Sequence, residues 1–267
     1  MTPPLGVPTI STPVLGFFRR IVRGYFRRNF HGVRVRGADQ FTATTGPLIV
    51  YANHSSWWDP MVLILLAARM MPQRRHYAPM DARALKRYKI LSYLGIFGVE
   101  LESARGAVQF LRTGAAALSS GGVMWITPQG KFVDTRVRPL TFKPGLAGLA
   151  ARAADENGTC TVLPLAIEYT FWDERTPECL LQFGAPVCVA SGDTAASVEG
   201  RFEAALLLAM DELKQVATMR DEQQFATLHQ GSVGTGGFYG LGQRIKAFVT
   251  RQEYQPEHTT VRDGGQG

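Results

Sequence analysis

Pro47-Leu-Ile-Val-Tyr-Ala52, followed without a break by Asn53-His-Ser-Ser-Trp-Trp-Asp-Pro60, is the stretch that decides the fold. An unbroken apolar run with β-branched residues at its centre reads as a short strand buried on both faces. The second half cannot continue that strand. Met61 to Met71 has helical length and composition, with Pro60 suited to the first helical position and Asp59 to the N-cap. A strand that passes through a polar loop into a helix is the unit of an α/β sheet, and ligands bind beyond such strand ends.

The same alternation recurs outward from this stretch. Ser103 to Ser120 has one helical face of Ala104, Val108, Leu111, Ala115 and Leu118, ended by Gly121-Gly122. Val123-Met-Trp-Ile-Thr127 follows as a strand and delivers the turn Pro128-Gln-Gly-Lys131 and a basic loop with Arg136, Arg138 and Lys143. Phe142-Lys-Pro-Gly145 opens a small-residue helix, Leu146 to Ala154, and Val162-Leu-Pro-Leu-Ala-Ile167 is again a buried strand. Ala195 to Val216 reads as an amphipathic helix covering the core with Phe202, Leu206, Met210 and Leu213. The expected fold is α/β: one domain over 33–216 with a mostly parallel central sheet flanked by helices. Residues 217–267 are expected to form an extension: a glycine-rich connector over Gly231–Gly242, a short basic helix over Leu241–Arg251 and a disordered tail from His258.

Composition narrows the function. Of 267 residues, 45% are hydrophobic and 19% charged, enough apolar surface for a sizeable core and unlike a disordered chain. Three cysteines, with no C-x-x-C and no Cys/His cluster, offer neither a disulfide framework nor a zinc site, and Cys160 reads as a core residue rather than a nucleophile. The longest clean apolar run, Met61 to Ala68, is far short of a spanning helix, and Met1 to Pro13 lacks the pattern of a signal peptide. The net charge of +7 is uneven: residues 1–152 carry +15 and residues 153–267 carry −8. An anionic partner belongs with the first part. The basic residues form no nucleic-acid module, which leaves a phospholipid surface or a phosphorylated substrate.

Val14 to Phe30 is where that surface is expected to be met. Val14, Leu15, Phe17, Phe18, Ile21, Val22, Tyr25 and Phe26 recur at spacings of 3 and 4, with Arg19, Arg20, Arg23, Arg27 and Arg28 between them. Such a basic amphipathic helix, within residues 1–32, suits the plane of an anionic membrane, through Phe17, Phe18 and the five arginines. The plainer alternative is a helix that packs its apolar face on its own domain.

His54 and Asp59 are five positions apart, too far round a continuous helix to meet, but a loop turning into a helix brings them together. An imidazole whose tautomer a carboxylate fixes is a general base for a hydroxyl proton. By spacing alone the plainer alternative prevails: Asp59 caps the helix and His54 is an ordinary loop histidine, and it is the surrounding sequence that favours the pair.

Asn53-His-Ser-Ser-Trp-Trp-Asp59, Pro128-Gln-Gly130 with Phe142-Lys-Pro-Gly145, and Val162-Leu-Pro-Leu-Ala166 together resemble the blocks of the glycerolipid acyltransferases of the lysophosphatidate acyltransferase type, over roughly residues 33–190. The resemblance implies that His54 is the base and Asp59 orients it. It implies an acyl-CoA or acyl carrier protein donor as co-substrate with no further cofactor, and a lysolipid acceptor at the cytoplasmic face of a membrane. A catalytically silent lipid-binding scaffold and a thioesterase are the alternatives on the same residues. Two blocks depart from the family's pattern. Gln129 and Lys131 stand where it usually has glutamate and a threonine, and Gly95-Ile-Phe-Gly-Val-Glu-Leu-Glu102 puts acids where an arginine is usual, Arg105 being the nearest. Arg105, Gln129, Gly130, Lys131, Arg136, Arg138 and Lys143 are the expected substrate contacts, and the departures point to a non-standard acceptor such as a glycosylated lipid or another lipid alcohol.

Overall fold

The computed structural model describes residues 6–231. The expected basic helix, the tail and all but the first residue of the glycine-rich connector lie outside the described residues. In chain order the elements are α1 (Thr12–Asn29), β1 (Gly32–Arg36), α2 (Ala38–Ala43), β2 (Leu48–Ala52), α3 (Asp59–Met70), β3 (His76–Asp81), α4 (Ala82–Arg87) and β4 (Ile96–Val99). There follow α5 (Ala104–Ser119), β5 (Val123–Ile126), α6 (Gly145–Asn157), β6 (Thr159–Thr170), β7 (Glu178–Phe183), β8 (Val187–Ala190), α7 (Ala195–Thr218) and β9 (Ala226–Gln230).

The strands form one sheet in the order β4-β3-β5-β2-β6-β7-β1-β9, with β8 also on β6. From β4 to β6 every neighbouring pair is parallel; β6 meets β7 and β8 antiparallel, β7 and β1 are parallel, and β1 and β9 antiparallel. The decisive run is thus a strand inside the parallel part, buried at every residue. Its alternation separates two cores. Leu48, Val50 and Ala52 pack with Val22 and Phe26 of α1 and Val62, Leu65 and Leu66 of α3. Ile49 and Tyr51 pack on the opposite face with Leu118 of α5, Leu149 and Ala153 of α6, and Phe202 and Leu206 of α7. The result is a helix/sheet/helix sandwich whose parallel strands β2, β3, β4, β5 and β6 all deliver their C-terminal ends to one edge.

Two features differ from expectation. Most of the apolar face of α1 turns inward: Val22 and Phe26 are buried and Phe18 packs against the same cluster, while Phe17 and Tyr25 remain exposed, at 61% and 43%. Arg19 is half-buried, with burial and nearby Arg23 lowering its guanidinium from its ordinary range, whereas Arg20, Arg23, Arg27 and Arg28 are exposed. The domain also continues beyond residue 216, because β9 adds a strand to the open side of β1. Its segment, Ala-Thr-Leu-His-Gln, has too little apolar alternation to announce a strand.

Candidate active site

The site is built where β2 leaves the sheet. Asn53 prolongs the pairing with β6 through its side chain: Nδ2 donates to the Ile167 carbonyl at 2.9 Å and Oδ1 accepts from the Ile167 N–H at 2.8 Å. The next residue, His54, is held by its backbone on both sides. Its N–H donates to Gln129 Oε1 at 2.8 Å, and its carbonyl accepts from Val133 N–H at 2.7 Å. Both partners lie in the loop after β5, so the two strand ends lock one another.

Asp59 is the first residue of α3, and Trp58 stands at the N-cap, so the expected capping role of Asp59 is not what the fold uses. The carboxylate is fully buried and turns back toward the loop. Its Oδ2 accepts from His54 Nδ1 at 2.8 Å, Ser55 N–H at 2.8 Å and Ser56 N–H at 3.0 Å, and its Oδ1 accepts from Tyr169 Oη at 2.7 Å. Four donors are what a buried ionised carboxylate needs. Burial, with Cys179 and Asp59 nearby, holds the Tyr169 phenol well above its ordinary range, so it stays a donor.

With Nδ1 donating to a carboxylate, the neutral ring carries its lone pair on Nε2, which has no hydrogen bond among the described residues. The His54 side chain retains 17% of its surface, and the half-open ring of Phe132 lies over it at 4.6 Å between centroids. Behind Asp59, Trp58 packs edge-on against Phe30 at 4.9 Å and against Phe26 of α1 at 5.6 Å, and Phe30 meets Tyr169 at 5.8 Å. The N-terminal helix is therefore a structural wall of the site.

The expected substrate contacts fall into four groups. Gln129 is buried and spends its carbonyl on the His54 backbone, so it braces the histidine rather than presenting that oxygen to a ligand. Gly130 closes the turn with φ +66°, a conformation that favours glycine, and its N–H donates to Thr127 carbonyl at 3.0 Å. Lys131 and Lys143 are exposed beside that turn, with no ion pair among the described residues. Arg136 is neutralised by Asp134 through a two-point contact at 2.9 and 2.7 Å, and Arg138 pairs with Asp211 at 3.3 Å. Arg105 stands apart: it lies at the start of α5, after edge strand β4, three strand spacings or about 14 Å across the sheet from β2.

Asn53, Phe132 and Tyr169 were not singled out by the sequence reading. Tyr169 lies 110 residues from Asp59 and had no local signal; the exposed aromatic directly after Lys131 was the one clue to Phe132. Cys160 is buried, and desolvation pushes its thiol up to about 12, the character of a core residue rather than a nucleophile. Among the described residues, His31, Glu178 and Glu222 come close to a metal-ligand set, but the buried Arg34 already fills it, with Nε 3.0 Å from Glu178 and Nη2 2.9 Å from Glu222.

The sheet topology and the imidazole held by a buried carboxylate at the parallel strand ends place the chain among α/β proteins with a candidate site at that edge. Residues 32–168 match the acyltransferase family, and the chain belongs to it. It is 32% identical over 143 residues to the lyso-ornithine lipid O-acyltransferase of Rhizobium meliloti (strain 1021), a stretch that is 52% of this chain and 46% of that protein. The match thus spans about half the length of that relative. In fold it is similar to the 1-acyl-sn-glycerophosphate (LPA) acyltransferase PlsC from Thermotoga maritima, with a TM-score of 0.53, 19% identity, and coverage of 76% of this chain and 78% of that one.

Proposed function

We propose that the protein transfers a fatty acyl group from an acyl thioester, carried on CoA or acyl carrier protein, to the free hydroxyl of a lysolipid at an anionic membrane surface. The observation that carries this reading is the 2.8 Å contact between His54 Nδ1 and the buried Asp59, which leaves the Nε2 lone pair without a hydrogen bond among the described residues. Nε2 takes the proton of the acceptor hydroxyl as its oxygen attacks the thioester carbonyl. Asp59 stabilises the imidazolium that forms, and when the tetrahedral intermediate collapses the thiolate leaves and takes that proton, regenerating neutral His54.

The names of the two relatives support a lysolipid as the acceptor. No helix among the described residues is long and apolar enough to cross a membrane. The exposed side of α1, with Phe17, Arg20, Arg23, Arg27 and Arg28, supports peripheral attachment. The test is CoA release from acyl-CoA by purified protein, with and without lysolipid. Lysolipid-dependent release that His54→Ala lowers by at least about 10²-fold, at unchanged melting temperature, is expected. Release that ignores the lysolipid means a thioesterase, and none at all means a silent scaffold.

A further inference from the structure

The crossover from β3 to β4 carries a segment that none of the roles above uses. Ala82-Arg-Ala-Leu-Lys-Arg-Tyr-Lys-Ile-Leu-Ser-Tyr93 forms α4 and a short 3₁₀ helix over Lys89–Tyr93. It holds the large apolar side chains Leu85, Tyr88, Ile90, Leu91 and Tyr93, yet none of its residues is buried. Tyr88, Ile90 and Tyr93 are each about half exposed. Arg83, Lys86, Arg87 and Lys89 stand among them, with no acid in the segment and no ion pair among the described residues. A helical segment that leaves its apolar side chains unburied and surrounds them with unpaired cations suits a partner that is both apolar and negative.

The segment lies on the same face of the sheet as α1. The steps from β2 through α3 to β3 and from β3 through α4 to β4 run in one direction across the sheet, and crossovers of one hand put α3 and α4 on one face. α1 packs with α3 in the same core. Its start is tied to the segment: Ser11 N–H donates to the Tyr93 carbonyl at 2.8 Å, and Ile10 bridges to Leu94. The exposed Phe17 lies about 9 Å along the helix from Ser11. α1 holds five arginines and the segment four cations, without an acid in either. The opposite face is the reverse, because α6 and α7 hold six acids against three cations. Much of the uneven charge along the chain thus becomes a difference between two faces of the molecule, which orients it before an anionic surface.

We propose that Ala82–Tyr93 is a second membrane-contact element, which lays Tyr88, Ile90 and Tyr93 into the head-group region of an anionic bilayer beside α1. A lipid surface fits better than an acidic protein. Lysine is depleted from protein–protein contacts, whereas tyrosines flanked by lysine and arginine are what a membrane–water interface collects. A single helix in the interface leaves the domain free to roll about that helix. A second contact on another element stops the roll and fixes the height of the His54 edge over the lipid. The proposal rests on the membrane-attachment part of the reading above and adds the place of the second contact.

The experiment measures partition of the full chain onto vesicles of phosphatidylglycerol and phosphatidylcholine, with a melting curve for each variant. A cation near an anionic surface contributes about fivefold in binding. Lys86→Gln/Arg87→Gln/Lys89→Gln should therefore weaken partition by at least about tenfold at low salt, and raised salt should shrink the difference. Tyr88→Ser/Ile90→Ser should weaken it by at least about fivefold at low and high salt alike. All five side chains are exposed, so the melting temperature should not move. With the exposed Cys188 removed as Cys188→Ser, a dye on Ile90→Cys should be quenched by spin-labelled lipid, and the same dye on Leu208→Cys of α7 should not. Equal partition of variants and wild type, or equal quenching at the two dye positions, overturns the assignment. So does a variant that keeps vesicle binding but loses turnover only with acyl carrier protein as donor, or loses only self-association, since the surface then belongs to an acidic carrier or to a second copy. Partition and quenching need no turnover. Protein that binds as expected but transfers to no lysolipid overturns the acyl-transfer reading and leaves the second contact standing.

Discussion

Asp59→Asn separates the positioning of His54 from its electrostatics. Asparagine is nearly isosteric with aspartate, and its carbonyl can keep accepting from His54 Nδ1, Ser55 N–H and Ser56 N–H, while its amide nitrogen faces Tyr169 Oη, which can accept. The loop should therefore keep its shape, and stability should fall by no more than about 1–3 kcal/mol, the range for weakened buried hydrogen bonds. What disappears is the negative charge beside the imidazolium. With charge centres about 4 Å apart and an effective dielectric of about 20, their attraction is roughly 4 kcal/mol. At about 1.4 kcal/mol per factor of ten, that is roughly 10³ in rate. The assay is kcat and KM by CoA release, with a thermal melt on the same preparation. A folded variant that keeps more than a tenth of the wild-type kcat would refute the reasoning, because the buried carboxylate would then serve only the loop.

Three further outcomes follow from other parts of the structure. Gln129→Glu keeps an acceptor for the His54 N–H and should change kcat/KM less than about tenfold, whereas Gln129→Leu orphans that N–H at a cost of about 1–3 kcal/mol and should damage both stability and turnover; the reverse order would return Gln129 to the acceptor. Replacing Arg20, Arg23, Arg27 and Arg28 with glutamine should release the protein from phosphatidylglycerol vesicles, at about 1 kcal/mol per arginine, and salt should weaken the wild type likewise; a helix without a membrane role would show neither effect. His76 accepts from Trp125 Nε1 at 3.0 Å and donates to Met71 carbonyl at 2.8 Å, and burial foremost, with Arg19 and Arg74, pushes its pKa down to about 4 from the ordinary 6.5. Because the folded state binds that proton less readily than the unfolded one, stability is complete above about pH 6.5 and declines by up to roughly 3 kcal/mol toward pH 4. Urea midpoints at pH 7 and pH 4.5 should converge in His76→Phe relative to wild type, and an unchanged difference would clear His76 of the effect.

What could be read along the chain was whatever has a local cause. The β2 strand, the start of α3, the extent of α5 and the face of α7 follow from apolar runs, a proline and 3.6-residue spacing, and each is found in place; the face read for α5 is not, since Ala104 and Val108 are exposed while Phe110, Gly114 and Ala117 are buried beside Ala115 and Leu118. The strands β1, β3, β4, β7 and β8 carried no such signal. Arg34 and Arg36 interrupt β1, Pro79 lies within β3, and β4 and β8 have only four residues each. These become strands because a neighbour supplies their hydrogen bonds.

The fate of α1 shows where local pattern stops. An apolar stripe with the period of a helix is satisfied equally by lipid and by protein, so the spacing of Phe18, Val22 and Phe26 determined only that a helix with one greasy side would form. Trp58, Phe30 and the α3 layer decided that this side faces the domain. The same holds for the acid at position 59. Its place five residues after His54 was plain in the sequence, but a carboxylate at a helix start can cap the helix or turn back, and the choice depends on which donors surround it. Tyr169, from a strand 110 residues away, and the Ser55 and Ser56 N–H groups supplied those donors, and only the closure of β6 against β2 brought them to the same buried point.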